Sequence, residues 1–349
     1  MMRKKIFPAF IAVAMLLLID PVHSLAGQGG HILSVGLGPL KWIGLGAAGL
    51  VVNEATLSAL FKSFKTIFNE ALSAYQPQWE AGGMKVTSTT SVETYAWMGA
   101  FPKMREWIGE RFIKNVNAQA YNVANKTFED TMSLKRTSIE DDQYGVFSPV
   151  VKAQAIAAAQ LWDDLFFTLL NNGFTGKSYD GLAFFSTTHK SGSNKDSGGG
   201  SVLSVTSWEK ALAAIRSTTD SQGNPLFAGN EPLTLWVPPA LEGTAKRILN
   251  AEIVAAASGT ASETNIWKGS ATPKVSSKLT SATAWMVTVD FMGLKPALIQ
   301  VREEPEFVQL IDPKTSDHVF MRDEYLYGTR ARGNAAYGLH QLAYGSVGA

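Results

Sequence analysis

Gly176-Lys177-Ser178, within LLNNGFTGKSYDG (169–181), is the arrangement in this chain that most invites a chemical reading. A lysine between a glycine and a hydroxyl can hold phosphate oxygens when backbone N–H groups and a helix N-terminus surround the same anion. That cradle needs G-x-x-x-x-G-K-[ST] between a strand and a helix. Here Asn171 stands where the first glycine belongs, an apolar helical stripe precedes the motif, and Tyr179-Asp180-Gly181 reads as a turn. The expectation is a loop after a helix end, not a nucleotide site.

The other reactive types are no better placed. His23, His31, His189, His318 and His340 are scattered with no HExxH or HxxxH pair, so no metal site is expected. There is no G-x-S-x-G elbow, and His189 lies in HKSGSNKDSGGGS (189–201), a poor seat for a rigid base. Glu129, Asp130, Glu140, Asp141 and Asp142 could hold Mg²⁺ or move protons. Spacing ties no nucleophile or base to them, and they read as a solvated face or a subunit contact. No catalytic residue, metal or cofactor is expected.

One segment does suggest binding. Trp97, Phe101, Trp107 and Phe112 alternate with Lys103, Arg105, Arg111 and Lys114. Aromatics with basic residues can stack on single-stranded nucleic acid. Glu106 and Glu110 offset half of that charge, and Trp, Tyr and Arg dominate protein–protein contacts, which is the favoured reading. Trp97, Phe101, Arg105, Trp107 and Arg111 are the expected intersubunit contacts.

These residues need a frame. The chain has 349 residues, 46% of them hydrophobic, enough for one elaborate domain or two moderate ones. A net charge of +1 argues against a protein that coats nucleic acid, and the lack of cysteine removes disulfides and thiolate chemistry. Asn53 is a good N-cap, after which Leu57, Leu60, Phe61, Phe64, Phe68 and Leu72 share a helical face. Gly82–Val92 reads as an extended arm, and Arg111–Arg136 as a long β-hairpin with too little apolar surface for its own core. Ser148-Pro149 predicts a helix start. Ala158, Leu161, Trp162, Leu165, Phe166 and Leu169 form its stripe, with Asp163 and Asp164 off it, and Gly173 stops it as a left-handed glycine. Beyond Ser204 the pattern predicts helices at 207–216 and 240–253, and strands at 233–237, 284–290, 297–303 and 319–327. Residues 254–282 read as loops. The fold class is α+β.

The start of the chain differs in character. Met1–Lys5 is basic, Ile6–Ile19 is apolar, and Ser24-Leu25-Ala26 is small, as in a secretory signal peptide. Val51 and Val52 are also compatible with a GTG start codon. Residues 1–50 are therefore either an export signal, as in a surface or envelope-associated protein, or an over-extended gene start.

Four blocks carry a family resemblance: TYAWMGAFPKMREWIGER (94–111), YNVANKTFEDTMSLKRTSIEDDQYGVFSP (121–149), LLNNGFTGKSYDGLAFFSTTHK (169–190) and FMRDEYLYGTRARGNAAYGLHQLA (320–343). They resemble the major head subunit family of Mu-like phages and prophages, from about Val52 to the C-terminus. The resemblance implies an HK97-like capsid fold. Its parts would be an N-terminal arm (51–94), an extended hairpin loop (95–138), a peripheral domain (139–204) with a spine helix (149–172), an axial domain (205–282), return strands (283–327) and a C-terminal segment (328–349). It implies hexamers and pentamers in an icosahedral shell around double-stranded DNA, touched weakly and without sequence preference. A scaffolding protein, a portal and a maturation protease would be partners, and assembly would take place in the host cytoplasm without a membrane. On that footing residues 1–50 read as an over-extended start. The resemblance assigns no role to Gly-Lys-Ser.

Overall fold

The computed structural model describes residues 52–96, 121–141, 144–197, 199–220, 223–255, 262–311 and 316–348. The expected export segment lies outside them.

Helix α1 (Glu54–Ala74) starts where its capping residues require. Asn53 Oδ1 accepts from the Thr56 N–H and Thr56 Oγ1 accepts from the Asn53 N–H, both at 2.9 Å, so two orphan donors are satisfied reciprocally. Strands β1 (Gly83–Thr87), β2 (Val92–Tyr95), β3 (Tyr121–Ala124) and β4 (Lys126–Lys135) follow, then a short α2 (Arg136–Glu140) and the long α3 (Tyr144–Asn172). The second half holds α4 (Val205–Arg216), β5 (Leu233–Val237), α5 (Glu242–Asn250), β6 (Ile253–Ala255), β7 (Ser262–Thr264), β8 (Thr272–Val275), β9 (Trp285–Val289), β10 (Ala297–Leu310), α6 (Asp317–Arg322), β11 (Glu324–Tyr337) and β12 (Ala343–Ser346).

Two four-stranded sheets carry the architecture. The first runs β1-β10-β11-β4, with β1 parallel to β10 and the remaining pairs antiparallel. The second runs β12-β9-β5-β8, with only β5 and β8 parallel. Strands β5 and β9 are buried on both faces, so they read as continuous apolar runs rather than alternating ones. Leu235, Val237, Trp285 and Val287 face a core built on Trp208 and Ile248. The alternate residues Trp236 and Met286 face Phe166 and Phe167 of α3.

Helix α3 joins two cores. Val151, Ala155 and Ala158 pack with Phe64, Phe68, Phe307 and Tyr327. Trp162, Phe166, Phe167 and Leu170 pack with Trp236, Phe185 and Ile299. Burial on several sides leaves little amphipathic contrast along the helix, and this accounts for several departures from the sequence reading. The helix begins at Tyr144, a turn before Ser148, and holds Pro149 inside it. Asp163 does not face solvent: it is 1% exposed and bonded to another segment. Gly173 follows the helix without a left-handed backbone. Its role is close approach, because a Cβ there would sit 2.5 Å from Phe185 Cε2.

Other expectations are corrected by pairing. The chain at 126–135 is β4, bonded to β11 along ten register pairs from Lys135 to Lys126, and residues 97–120 of the expected hairpin lie outside the described residues. The helical face expected after Asn53 is the one α1 buries, with Leu57, Leu60, Phe64, Phe68 and Ala71 packed within the same chain. Residues 254–282 contain β7 and β8. The stretch 319–327 opens as α6, capped by the Ser316 hydroxyl, and becomes β11 only at Glu324. Strand β9, expected among the return strands of the peripheral part, pairs with β5 and β12 in the second sheet.

Candidate functional site

Strands β2 and β3 are the stems from which residues 97–120 leave and return. They pair antiparallel, with Val92 opposite Ala124 and Tyr95 opposite Tyr121. So short a ribbon is marginal alone; here a ladder of side chains fastens it to β10. The Tyr95 hydroxyl donates to Gln300 Oε1 at 2.7 Å. Gln300 Nε2 donates to Asn125 Oδ1 at 2.7 Å and to the Val123 carbonyl at 3.2 Å. Asn125 Nδ2 donates to Ser88 Oγ and to the Thr90 carbonyl. Gln300 is fully buried, so each unmade bond would leave a desolvated polar atom.

Glu93 closes the ladder. Its Oε1 accepts from the Thr89 and Thr90 N–H groups at 2.7 and 3.0 Å and from Ser88 Oγ at 2.9 Å. These donors favour the ionised carboxylate, the Thr89 N–H most, and hold it down at about 2. Asn334 Nδ2 adds a bond to the Ala124 carbonyl at 2.8 Å. Trp97, Phe101, Arg105, Trp107 and Arg111 themselves lie outside the described residues. The fastening of β2 and β3 is not legible in the sequence, because Gln300 is 205 positions from Tyr95.

The Gly-Lys-Ser turn has a different geometry from a phosphate cradle. The Gly176 N–H donates to the Asn172 carbonyl at 2.6 Å and the Ser178 N–H to the Leu182 carbonyl at 2.7 Å. The Phe184 N–H returns to the Gly176 carbonyl at 2.8 Å. The backbone donors that would face an anion are thus consumed in a tight β-turn. A Cβ at Gly176 would collide with the Tyr337 ring, whose hydroxyl caps α3 by donating to the Leu169 carbonyl at 3.0 Å.

The turn belongs instead to a buried polar knot. His189, expected in a loose loop, is held fast: Nδ1 lies 2.6 Å from Asp180 Oδ2 and Nε2 3.2 Å from the Phe184 carbonyl. Its ring stacks on His340 at 3.7 Å. Ser191 Oγ lies 2.9 Å from His340 Nε2. Burial, then the neighbouring His189, holds the His340 imidazole well below its ordinary value. Asn194 Nδ2 donates to the Phe184 and His340 carbonyls, while Asn194 Oδ1 accepts from the Ser186 N–H. The Ser191–His340–Asp180 order is not a proton relay. Asp180 Oδ2 is 3.9 Å from His340 Nδ1, beyond hydrogen-bond reach, and Ser191 is buried from any substrate.

The acidic run is distributed rather than gathered. Glu129 stands opposite Arg330 across β4 and β11, and Glu140 pairs with Arg136 at 2.9 Å. Asp142 lies outside the described residues.

Comparison with known proteins gives this geometry a context. The model of the family described as Mu-like prophage major head subunit gpT matches residues 57–202, 198–279 and 273–349. Over 296 residues the chain is 29% identical to the major capsid protein of Escherichia phage Mu, spanning 84% of this chain and 74% of that one. It is 29% identical over 297 residues to the Mu-like prophage FluMu major head subunit of Haemophilus influenzae, spanning 85% and 75%. Among solved structures, the procapsid of bacteriophage JBD30 contains a chain 30% identical to this one, with a TM-score of 0.50 over 84% of this chain and 76% of that one.

Proposed function

The chain belongs to the Mu-like prophage major head subunit family, and on that premise we propose how its folded body builds a shell. It is a phage major capsid protein with the HK97-like capsid fold. Copies assemble as hexamers and pentamers into an icosahedral shell around double-stranded DNA. The observation that supports this most directly is the buried Gln300 clamp, which fastens the stems of residues 97–120 to the first sheet.

A clamp of this kind holds two chain ends at a fixed place on a rigid body while the aromatic and basic residues between them reach a neighbouring copy. Trp97, Phe101, Arg105, Trp107 and Arg111 make that contact across the shared interface. The role is structural rather than catalytic. The scaffold, portal and maturation protease act on the assembled lattice in the host cytoplasm, and the near-neutral chain touches packaged DNA only weakly.

The family match runs from residue 57, so the exported-protein reading draws on residues 1–50 alone. No helix among the described residues is long and apolar enough to cross a membrane. Negative-stain microscopy of the chain, whole and begun at Val52, tests the proposal: closed shells or capsomers are expected, and monomers at every concentration would refute it. Shells formed equally well by Trp107→Ala and Arg111→Ala variants would refute the contact assignment. Mass spectrometry of the N-terminus separates export, a chain starting at Gly27, from an internal start near Val51 or Val52.

A further inference from the structure

The polar knot behind α3 contains three groups that nothing in the capsid role requires. Asp180, His189 and His340 each offer one ligand atom, and these atoms lie within 4.8 Å of one another. We infer that Asp180, His189 and His340 form a binding site for one divalent transition-metal ion of the zinc class, which staples the C-terminal segment to the loop behind α3.

Four observations carry it. First, His340 Nδ1 is a buried ring nitrogen with no hydrogen-bond partner among the described residues, in a side chain only 4% exposed. A lone pair aimed at a carboxylate 3.9 Å away is costly unless a cation stands between them. Second, each imidazole already has an oxygen on its far side. The Phe184 carbonyl faces His189 Nε2 and Ser191 Oγ faces His340 Nε2, so both Nε2 atoms can keep protons while both Nδ1 atoms ligate. Third, Asp180 Oδ1 accepts from the Leu182 N–H at 3.1 Å, which orients the carboxylate and leaves Oδ2 for the ion. Fourth, the Asp180 side chain is 22% exposed, giving an entry path and a position for a water as fourth ligand.

Two nitrogens and one carboxylate oxygen suit zinc, cobalt or nickel rather than calcium or magnesium, which prefer all-oxygen shells. Ligand atoms around tetrahedral zinc stand about 3.3 Å apart for bonds of about 2.0–2.1 Å. The separations of Asp180 Oδ2 from the two Nδ1 atoms, 2.6 and 3.9 Å, bracket that value. The rings lie only 9° from parallel, so loading turns them apart until both Nδ1 atoms point at the ion. Any proton held between His189 Nδ1 and Asp180 then leaves to solvent.

The test uses the untagged full chain, stripped with chelator and dialysed against micromolar zinc. One zinc per chain by elemental mass spectrometry is expected. Cobalt in its place should give the visible absorption of a tetrahedral site. Asp180→Asn keeps an acceptor for the Leu182 N–H and should lower zinc affinity at least tenfold. Ser191→Ala, which removes only the outer oxygen on His340, should lower it about tenfold. Zinc well below one per chain in the parent would overturn the inference. So would unchanged affinity in Asp180→Asn, a partly exposed position that reports even if His340→Gln does not fold. The measurement does not depend on shell formation, so its failure would leave the capsid role intact.

Discussion

The two ends of α3 are secured by opposite kinds of chemistry. Near its start, Phe64 meets Tyr327 edge-on at 5.4 Å, and Phe68 and Phe61 lie against Phe307 at 5.2 and 5.7 Å. Apolar rings tolerate small displacements, because each contact is weak and non-directional. Beyond its end, Asn194, Asp180 and the two histidines join the turn at 176–184 to the chain at 338–345 through directional bonds. Hydrogen bonds fix position more tightly, but one missing partner strands a buried polar atom. One end resists loss of stability through area; the other resists loss of register through geometry.

Substitutions can break that comparison in order of size. Phe68→Ala should cost about 3–5 kcal/mol in chemical denaturation, since the ring is wholly buried and the aromatic cluster cannot close around the void. Asp163→Ala, midway along α3, should cost about 2–4 kcal/mol. It strands the Trp79 N–H, the Gln78 N–H and the Tyr75 hydroxyl, now held at 2.7, 3.0 and 2.5 Å. A loss as large as that of Phe68→Ala would place polar anchoring level with the rings. Asn194→Ala should cost about 2–3 kcal/mol and raise amide exchange at 343–346 more than at 57–71, because three of its bonds vanish on the polar side only. Gly173→Ala should cost about 1–3 kcal/mol as Phe185 yields to the added methyl.

The smallest effect is a matter of pH. Glu93 is held at about 2 by the Thr89 and Thr90 N–H groups. A carboxylate depressed in this way contributes order fully above its ordinary value near 4.5 and loses it as pH falls toward 2. Exchange protection of the Thr89 and Thr90 amides should therefore fall across that window. In Glu93→Gln it should be low and flat; protection that still titrates in the variant would assign the effect elsewhere.

Periodicity made the ring-bound end legible. Leu57, Leu60, Phe64 and Phe68 fall on one helical face because α1 has a single buried side. The start of α3 escaped the same reasoning, since burial on several sides removes the contrast and Pro149 looked like a first residue. Asp163 falls off the apolar stripe in the sequence, and nothing local marks it as buried, because its partners lie 84 to 88 positions upstream. The knot was illegible by nature. Asp180 and His189 are 9 residues apart, but Ser191 and His340 are 149 apart, and no local pattern marks a polar residue whose partner arrives from the far end of the chain. The pairing of β4 with β11 is not legible in the sequence, because the alternation of a strand does not name the partner that supplies its pairing edge.

The Gln300 clamp also sets a mechanical condition on the shell. Any load on residues 97–120 would enter the described body through two stems of four residues each. It is shared between Gln300 on β10, Asn334 on β11 and the Asn125 bonds to Ser88 and Thr90, with β10 flanked by β1 and β11. Held at several points, the stems are carried by the sheet beneath them, so the place where the chain leaves and returns is set by the first sheet as a whole.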